Sequence, residues 1–146
     1  FSVEGRSGRF FKPASSYERV TAEALDILET FNLANFDGEM AEGLSEGDKK
    51  ILDTAMAFAL KANFLLLDEP TSGVATADKF KVMDTIITAI QERGTATLII
   101  EHDMDIVAEY THRVMVLSEG HILADGASAE VMADKQVKET LFGVSD

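Results

Sequence analysis

Residues 1–13 are rich in Gly, Ser and Arg and read as an irregular lead-in, after which the chain takes up the period of amphipathic helices. Ser15, with Glu18 three residues on, forms a candidate capping box. The helix it opens would carry Val20, Ala24, Ile27, Leu28 and Phe31 on one face. A polar link over residues 32–43 follows. A second helix is expected from near Ser45, with Ile51, Leu52, Ala55, Met56 and Leu60 as its apolar stripe. Residues 64–67 then form an unbroken apolar run that stops at Asp68-Glu69-Pro70, the pattern of a parallel strand buried on both faces. Residues 79–93 predict an amphipathic helix bearing Met83, Ile86, Ile87 and Ile90, closed by Gly94. Residues 95–100 predict a second buried strand, ending at Glu101-His102-Asp103. A short helix over 105–110, a strand over 113–117, a turn at Glu119-Gly120 and a strand over 121–124 ended by Asp125-Gly126 come next. Ser128 is expected to cap a C-terminal helix.

Helices first, then strand–helix–strand–helix–strand with a terminal hairpin, is an α/β layout. In such sheets ligands gather at the carboxyl ends of the strands. The acidic and histidine clusters both fall there. Asp68 ends a buried strand, where a carboxylate can hold Mg²⁺ directly or through water. Glu69 beside it can polarise an attacking water. The plainer alternative is a strand followed by an acidic turn. Gly43-Leu44-Ser45-Glu46-Gly47-Asp48 offers a helix N-terminus whose free amides and dipole favour an anion, with Gly47 allowing close backbone approach, but an ordinary helix cap reads the same way. His102 could hydrogen-bond a phosphate oxygen or be incidental, and His112 and His121 have no comparable setting.

Composition narrows the partners. With 13 Lys plus Arg against 26 Asp plus Glu, the net charge of −13 opposes binding to a nucleic-acid backbone. It does not oppose binding a single nucleotide, which a few amides and one lysine can hold. Cysteine is absent, which excludes disulfides and thiolate metal sites. With 46% apolar residues in 146, a real core is within reach, yet no run is long enough to span a membrane. No signal peptide is visible, and the chain opens on Phe1 rather than Met, which suggests a piece of a longer protein.

Each signal alone is ambiguous; their order and spacing are specific. Ser-x-Gly at a helix start, a hydrophobic strand ending Asp-Glu-Pro, and a strand ending Glu-His-Asp resemble the ATP-binding-cassette (ABC) ATPases. In that family these are the signature motif, the Walker B strand with its catalytic glutamate, and the switch histidine. The resemblance runs through the Leu117-Ser118-Glu119-Gly120 hairpin to Leu141-Phe142-Gly143. Within the family, Ile100-Glu101-His102-Asp103-Met104 and the closing stretch are most similar to subunits of branched-chain amino acid or urea/amide importers.

The resemblance implies an incomplete P-loop NTPase (ABC ATPase) fold, with part of a helical subdomain over 1–60 and the C-terminal part of the catalytic core and its parallel sheet over 61–146. It implies that Asp68 supports Mg²⁺, that Glu69 activates the hydrolytic water, and that His102 contacts the γ-phosphate. Leu44, Ser45, Glu46, Gly47 and Asp48 would touch ATP bound mainly by the opposite subunit of a head-to-tail homo- or heterodimer. The partners implied are that second ATPase subunit and transmembrane permease subunits, with no nucleic acid, at the cytoplasmic face of the cell membrane. ATP closing the dimer would be coupled to substrate passage.

Departures from the family pattern shape these expectations. No Gly-Lys pair occurs among the ten glycines, so the phosphate-binding loop Gly-x-x-x-x-Gly-Lys-Ser/Thr is not in this chain. The chain also begins after the position of the family's glutamine loop. This stretch by itself is therefore expected to bind ATP poorly, not to hydrolyse it, and to leave apolar strand edges uncovered. Glu46 and Asp48 stand where the family usually has Gly and Gln, and a carboxylate beside a triphosphate is unfavourable unless a cation offsets it. Ala75 stands where the family usually has the Asp that bridges subunits. Two other readings compete: a soluble ABC ATPase outside transport, which the charge and the lack of heptads oppose, and a non-enzymatic dimerisation or regulatory module, which retention of Glu69 and His102 opposes and the missing lysine loop would favour in a complete chain.

Overall fold

A computed structural model describes residues 18–143, so the Ser15 half of the expected capping box lies outside the described residues. The chain forms two compact units, one ending at Ile100 and the next beginning at Glu101.

In the first unit, helix α1 (Glu18–Thr30) leads through two 3₁₀ turns (Ala34–Phe36 and Ala41–Gly43) to helix α2 (Glu46–Ala59). Strand β1 (Phe64–Asp68), helix α3 (Thr76–Arg93) and strand β2 (Ala96–Ile100) follow. The strands pair in parallel, from Phe64 opposite Ala96 to Asp68 opposite Ile100. Parallel pairing requires a long crossover, which α3 supplies. Gly94 ends α3 in the left-handed conformation (φ 67°, ψ 31°), which glycine adopts without steric cost.

Apolar faces of α2, α3 and the sheet close on one another around Ile51, Ala55, Leu65, Leu67, Val82 and Ile86. Phe31 meets Phe58 edge-on, with centroids 5.2 Å apart and planes at 79°. The Arg93 guanidinium lies 4.3 Å from the Phe58 ring centroid, and its Nη1 donates to the Phe58 carbonyl at 2.8 Å. The end of α3 is thus held to the end of α2 by packing, cation–π attraction and a hydrogen bond together.

Several expected positions differ. Helix α1 buries none of its residues; Val20, Ile27 and Leu28 are half-buried and Ala24 is exposed, and Phe31, just past its end, does the anchoring. Met56 and Leu60 are exposed at 57% and 59%, because Ile51, Ala55 and Phe58 already face the core. Helix α3 begins at Thr76 rather than Lys79.

The strands are not buried on both faces. Leu65 and Leu67 point into the core, while Phe64, Leu66, Leu98 and Ile100 on the other face are 56%, 59%, 52% and 49% exposed. Helices α2 and α3 pack on a single face of this two-stranded sheet, and among the described residues of the unit nothing covers the second.

The second unit has helix α4 (Met104–Tyr110), an antiparallel hairpin of β3 (Arg113–Ser118) and β4 (His121–Ala127), and helices α5 (Ser128–Ala133) and α6 (Lys135–Phe142). Strand β3 pairs with β4 in a sheet of its own. Glu119 (φ 49°) and Gly120 (φ 80°) are both left-handed, as a tight two-residue hairpin turn requires. Val116, Val131 and Val137 form its small core.

Ser128 does not act as the expected cap. It is the first residue of α5, buried, behind an Ala127 cap that makes no side-chain bond. The C-terminal helix is two helices, and the side-chain cap belongs to the second, where Asp134 Oδ1 accepts from the Val137 amide at 3.0 Å.

Candidate functional site

Leu44, Ser45, Glu46, Gly47 and Asp48 gather at the N-terminus of α2. Leu44 is buried and anchors the loop, and Ser45 is the N-cap in extended conformation. Ser45 Oγ accepts from the Asp48 amide at 3.1 Å and donates to Asp48 Oδ2 at 2.6 Å. The Lys49 ammonium, hydrogen-bonded to Glu46 at 2.8 Å, holds the Glu46 carboxyl below the usual range. Lys50 adds a weaker attraction, and desolvation opposes the shift. The loop therefore presents anions at a helix end whose dipole favours them.

Gly47 has a packing reason beyond backbone access. A Cβ there would sit 3.0 Å from Val82 Cγ2, so glycine lets α2 approach α3.

Asp68 ends β1 with an exposed side chain. Glu69 follows with φ 46°, a left-handed conformation unusual for a side chain of this length and costing about 1–3 kcal/mol. Three hydrogen bonds hold it there. Its amide donates to the Ile100 carbonyl at 2.9 Å, and its carbonyl accepts from the Ser72 amide at 3.0 Å and from Lys50 Nζ at 3.4 Å. Helix α2 thus brings the Ser45 loop and the backbone of Glu69 into one framework. Sequence reasoning missed Lys50, because a lysine in a helix reads as a solvated position.

In the second unit His102 is exposed, and its backbone amide donates to Glu101 Oε2 at 3.2 Å. Asp103 caps α4 by accepting from the Asp105 amide at 3.2 Å. His112 and His121 are also exposed. Ala75 caps α3 with no side-chain bond.

Among the described residues no group of three or more His, Asp and Glu forms a metal cage. A single exposed carboxylate at Asp68 fits Mg²⁺ arriving with a nucleotide, since that ion is commonly held by one or two carboxylates, phosphates and water. An open groove of about 400 Å³ lies elsewhere, lined by Glu23, Lys61, Phe58, Glu92 and Arg93, and none of the candidate residues lines it. No helix among the described residues is long and apolar enough to cross a membrane.

Comparison with known proteins gives the class of fold to which this parallel strand pair, its crossover helix and the capped serine loop belong. The fold matches part of the fold of solved ABC ATPase domains. The family described as "ABC transporter" matches residues 4–72. The chain is 31% identical over 140 residues to a protein of Archaeoglobus fulgidus named "Probable branched-chain amino acid transport ATP-binding protein LivG", covering 96% of this chain and 53% of that protein. It is 33% identical over 123 residues to the lipopolysaccharide export system ATP-binding protein LptB of Haemophilus influenzae, covering 83% of this chain and 50% of that protein. The structure of cbiO1 from Clostridium perfringens, part of the transporter complex cbiONQ, superposes with a TM-score of 0.76 at 26% identity, over 95% of this chain and 54% of that one. The chain therefore spans about half the length of the relatives it matches.

Proposed function

We propose that the protein carrying this chain is the ATP-binding and ATP-hydrolysing subunit of an ABC membrane transporter. The observation that carries the reading is the end of β1, where Asp68 closes a half-buried strand and Glu69 after it is held in a strained backbone conformation by hydrogen bonds from Ser72 and Lys50 and to Ile100. Such strain persists where the surroundings over-determine it, commonly at active sites.

In this account Glu69 orients a water for attack on the γ-phosphorus, the bond to the bridging oxygen breaks, and ADP and phosphate leave. Asp68 would hold Mg²⁺, and the ion would supply charge neutralisation on the phosphates. His102, on an exposed segment after β2, donates to the γ-phosphate. Leu44, Ser45, Glu46, Gly47 and Asp48 face the nucleotide of an opposing subunit, so ATP stabilises a head-to-tail dimer by mass action. Residues 1–60 would then belong to a helical subdomain and 61–146 to the catalytic core. The exposed apolar face of β1 and β2 would be covered by the rest of that core.

The subunit is peripheral on the cytoplasmic membrane face and works with transmembrane permease subunits. Its cargo is of the branched-chain amino acid or amide class, a reading supported by residues Ile100-Glu101-His102-Asp103-Met104 and the relative named LivG.

The test is Glu69→Gln in the full-length protein. ATP affinity is expected to stay within about twofold while turnover falls by about 10²-fold or more. Undiminished phosphate release would remove Glu69 from its role and with it the basis of the proposal.

A further inference from the structure

We infer that Lys50 is a positioning residue for Glu69, coupling helix α2 to the end of strand β1; the inference rests on the catalytic reading of Glu69 given above. Lys50 is half-buried, and its Nζ donates to the Glu69 carbonyl at 3.4 Å across nineteen positions of sequence. Glu69 needs such a restraint, because φ 46° is not a conformation a glutamate holds by its own preference.

The other two restraints are backbone bonds, one from the register of β2 and one from the turn to Ser72. Lys50 supplies a further one from a side chain, and a charged donor makes it stronger than a neutral bond of the same geometry. It fixes the plane of the peptide that leads from Glu69 into Pro70. The direction of the Cα–Cβ bond follows, and so does the place from which the carboxylate reaches a water.

The anchor of Lys50 is itself rigid. Thr54 Oγ1 donates back to the Lys50 carbonyl at 3.1 Å, and α2 is capped one turn earlier by Ser45. Lys49 is engaged by Glu46 and does not compete for the Glu69 carbonyl. A shift of the Ser45 loop along the helix axis would therefore be transmitted through Lys50 to the backbone of Glu69. A purely solvated lysine would transmit nothing.

The test compares Lys50→Met, Lys50→Arg and Glu69→Gln in the full-length protein, read as kcat and KM for ATP together with the thermal midpoint. Lys50→Met keeps the aliphatic stem and removes the donor. It is expected to lower kcat about tenfold with KM within about twofold, and Lys50→Arg to restore most of the loss. If Lys50→Met does not accumulate as folded protein, Lys50→Leu, which also lacks a donor, is read against the same expectations. Parental kcat in Lys50→Met beside an inactive Glu69→Gln overturns the inference and leaves the catalytic reading standing. Equal losses in Lys50→Met and Lys50→Arg, or a rise in KM without a fall in kcat, also overturn it. An active Glu69→Gln overturns both.

Discussion

Ser45 and Asp48 satisfy each other: the serine hydroxyl donates to Asp48 Oδ2 at 2.6 Å while its oxygen accepts from the Asp48 amide at 3.1 Å. The hydroxyl proton that could meet a phosphate is thereby committed to a carboxylate. Asp48→Gln removes the negative charge and frees the hydroxyl, so ATP-dependent association should tighten roughly fivefold, the equivalent of about 1 kcal/mol. Ser45→Ala should instead lose the cap, costing about 0.5–2 kcal/mol in chemical unfolding. Weaker association in Asp48→Gln would show that Asp48 helps the loop rather than burdening it.

Helix α3 starts without a side-chain cap, because Ala75 occupies the N-cap position. Its backbone is already set for a capping residue, at φ −59° and ψ 140°. Ala75→Asp should therefore stabilise the protein by about 0.5–2 kcal/mol, read as a higher unfolding midpoint at unchanged denaturant slope. An unchanged or lower midpoint would mean that the new carboxylate cannot reach the free amides.

Arg113 binds Asp125 through two parallel hydrogen bonds of 2.8 Å across the hairpin. The guanidinium holds the Asp125 carboxyl below its ordinary range, chiefly through the hydrogen bond and then through charge attraction, with desolvation opposing. The folded hairpin thus takes up the Asp125 proton less readily than the unfolded chain. Its contribution is fully present above the ordinary carboxylate value of about 3.9 and is lost as pH falls through the lower folded value. The stability difference between the parent and Asp125→Asn should be flat from about pH 5 to 8 and shrink below about pH 4. A difference that holds constant to about pH 2 would contradict the pairing.

Much of this fold was legible in the sequence for reasons that can be named. Leu65 and Leu67 in the apolar run and the helical period through Met83, Ile86 and Ile90 are dictated by burial, so β1 and most of α3 fall where expected, α3 starting three residues earlier at Thr76. Gly94 and the pair Glu119-Gly120 mark left-handed turns that local chemistry decides. The misses are tertiary. Nothing local distinguishes Leu66, which is exposed, from Leu65 and Leu67, which are buried, because sidedness depends on what packs against the sheet. Ser128 resembles a cap in sequence, but Asp134 has the geometry to be one. Among the candidate residues, the positions of Ser45 at the helix cap and of Asp68 at the strand end were legible from type and spacing. The strained φ of Glu69 and its tie to Lys50 exist only once α2 and β1 are packed.

The central claim is that the Ser45 loop and the end of β1 serve one ATP-driven cycle between two subunits. Light scattering of the full-length Glu69→Gln protein, with and without ATP and Mg²⁺, tests it most directly. The account predicts that ATP doubles the mass, that chelating the metal reverses the change, and that the dimer persists because the nucleotide is not hydrolysed. A mass that is the same with and without nucleotide would contradict it.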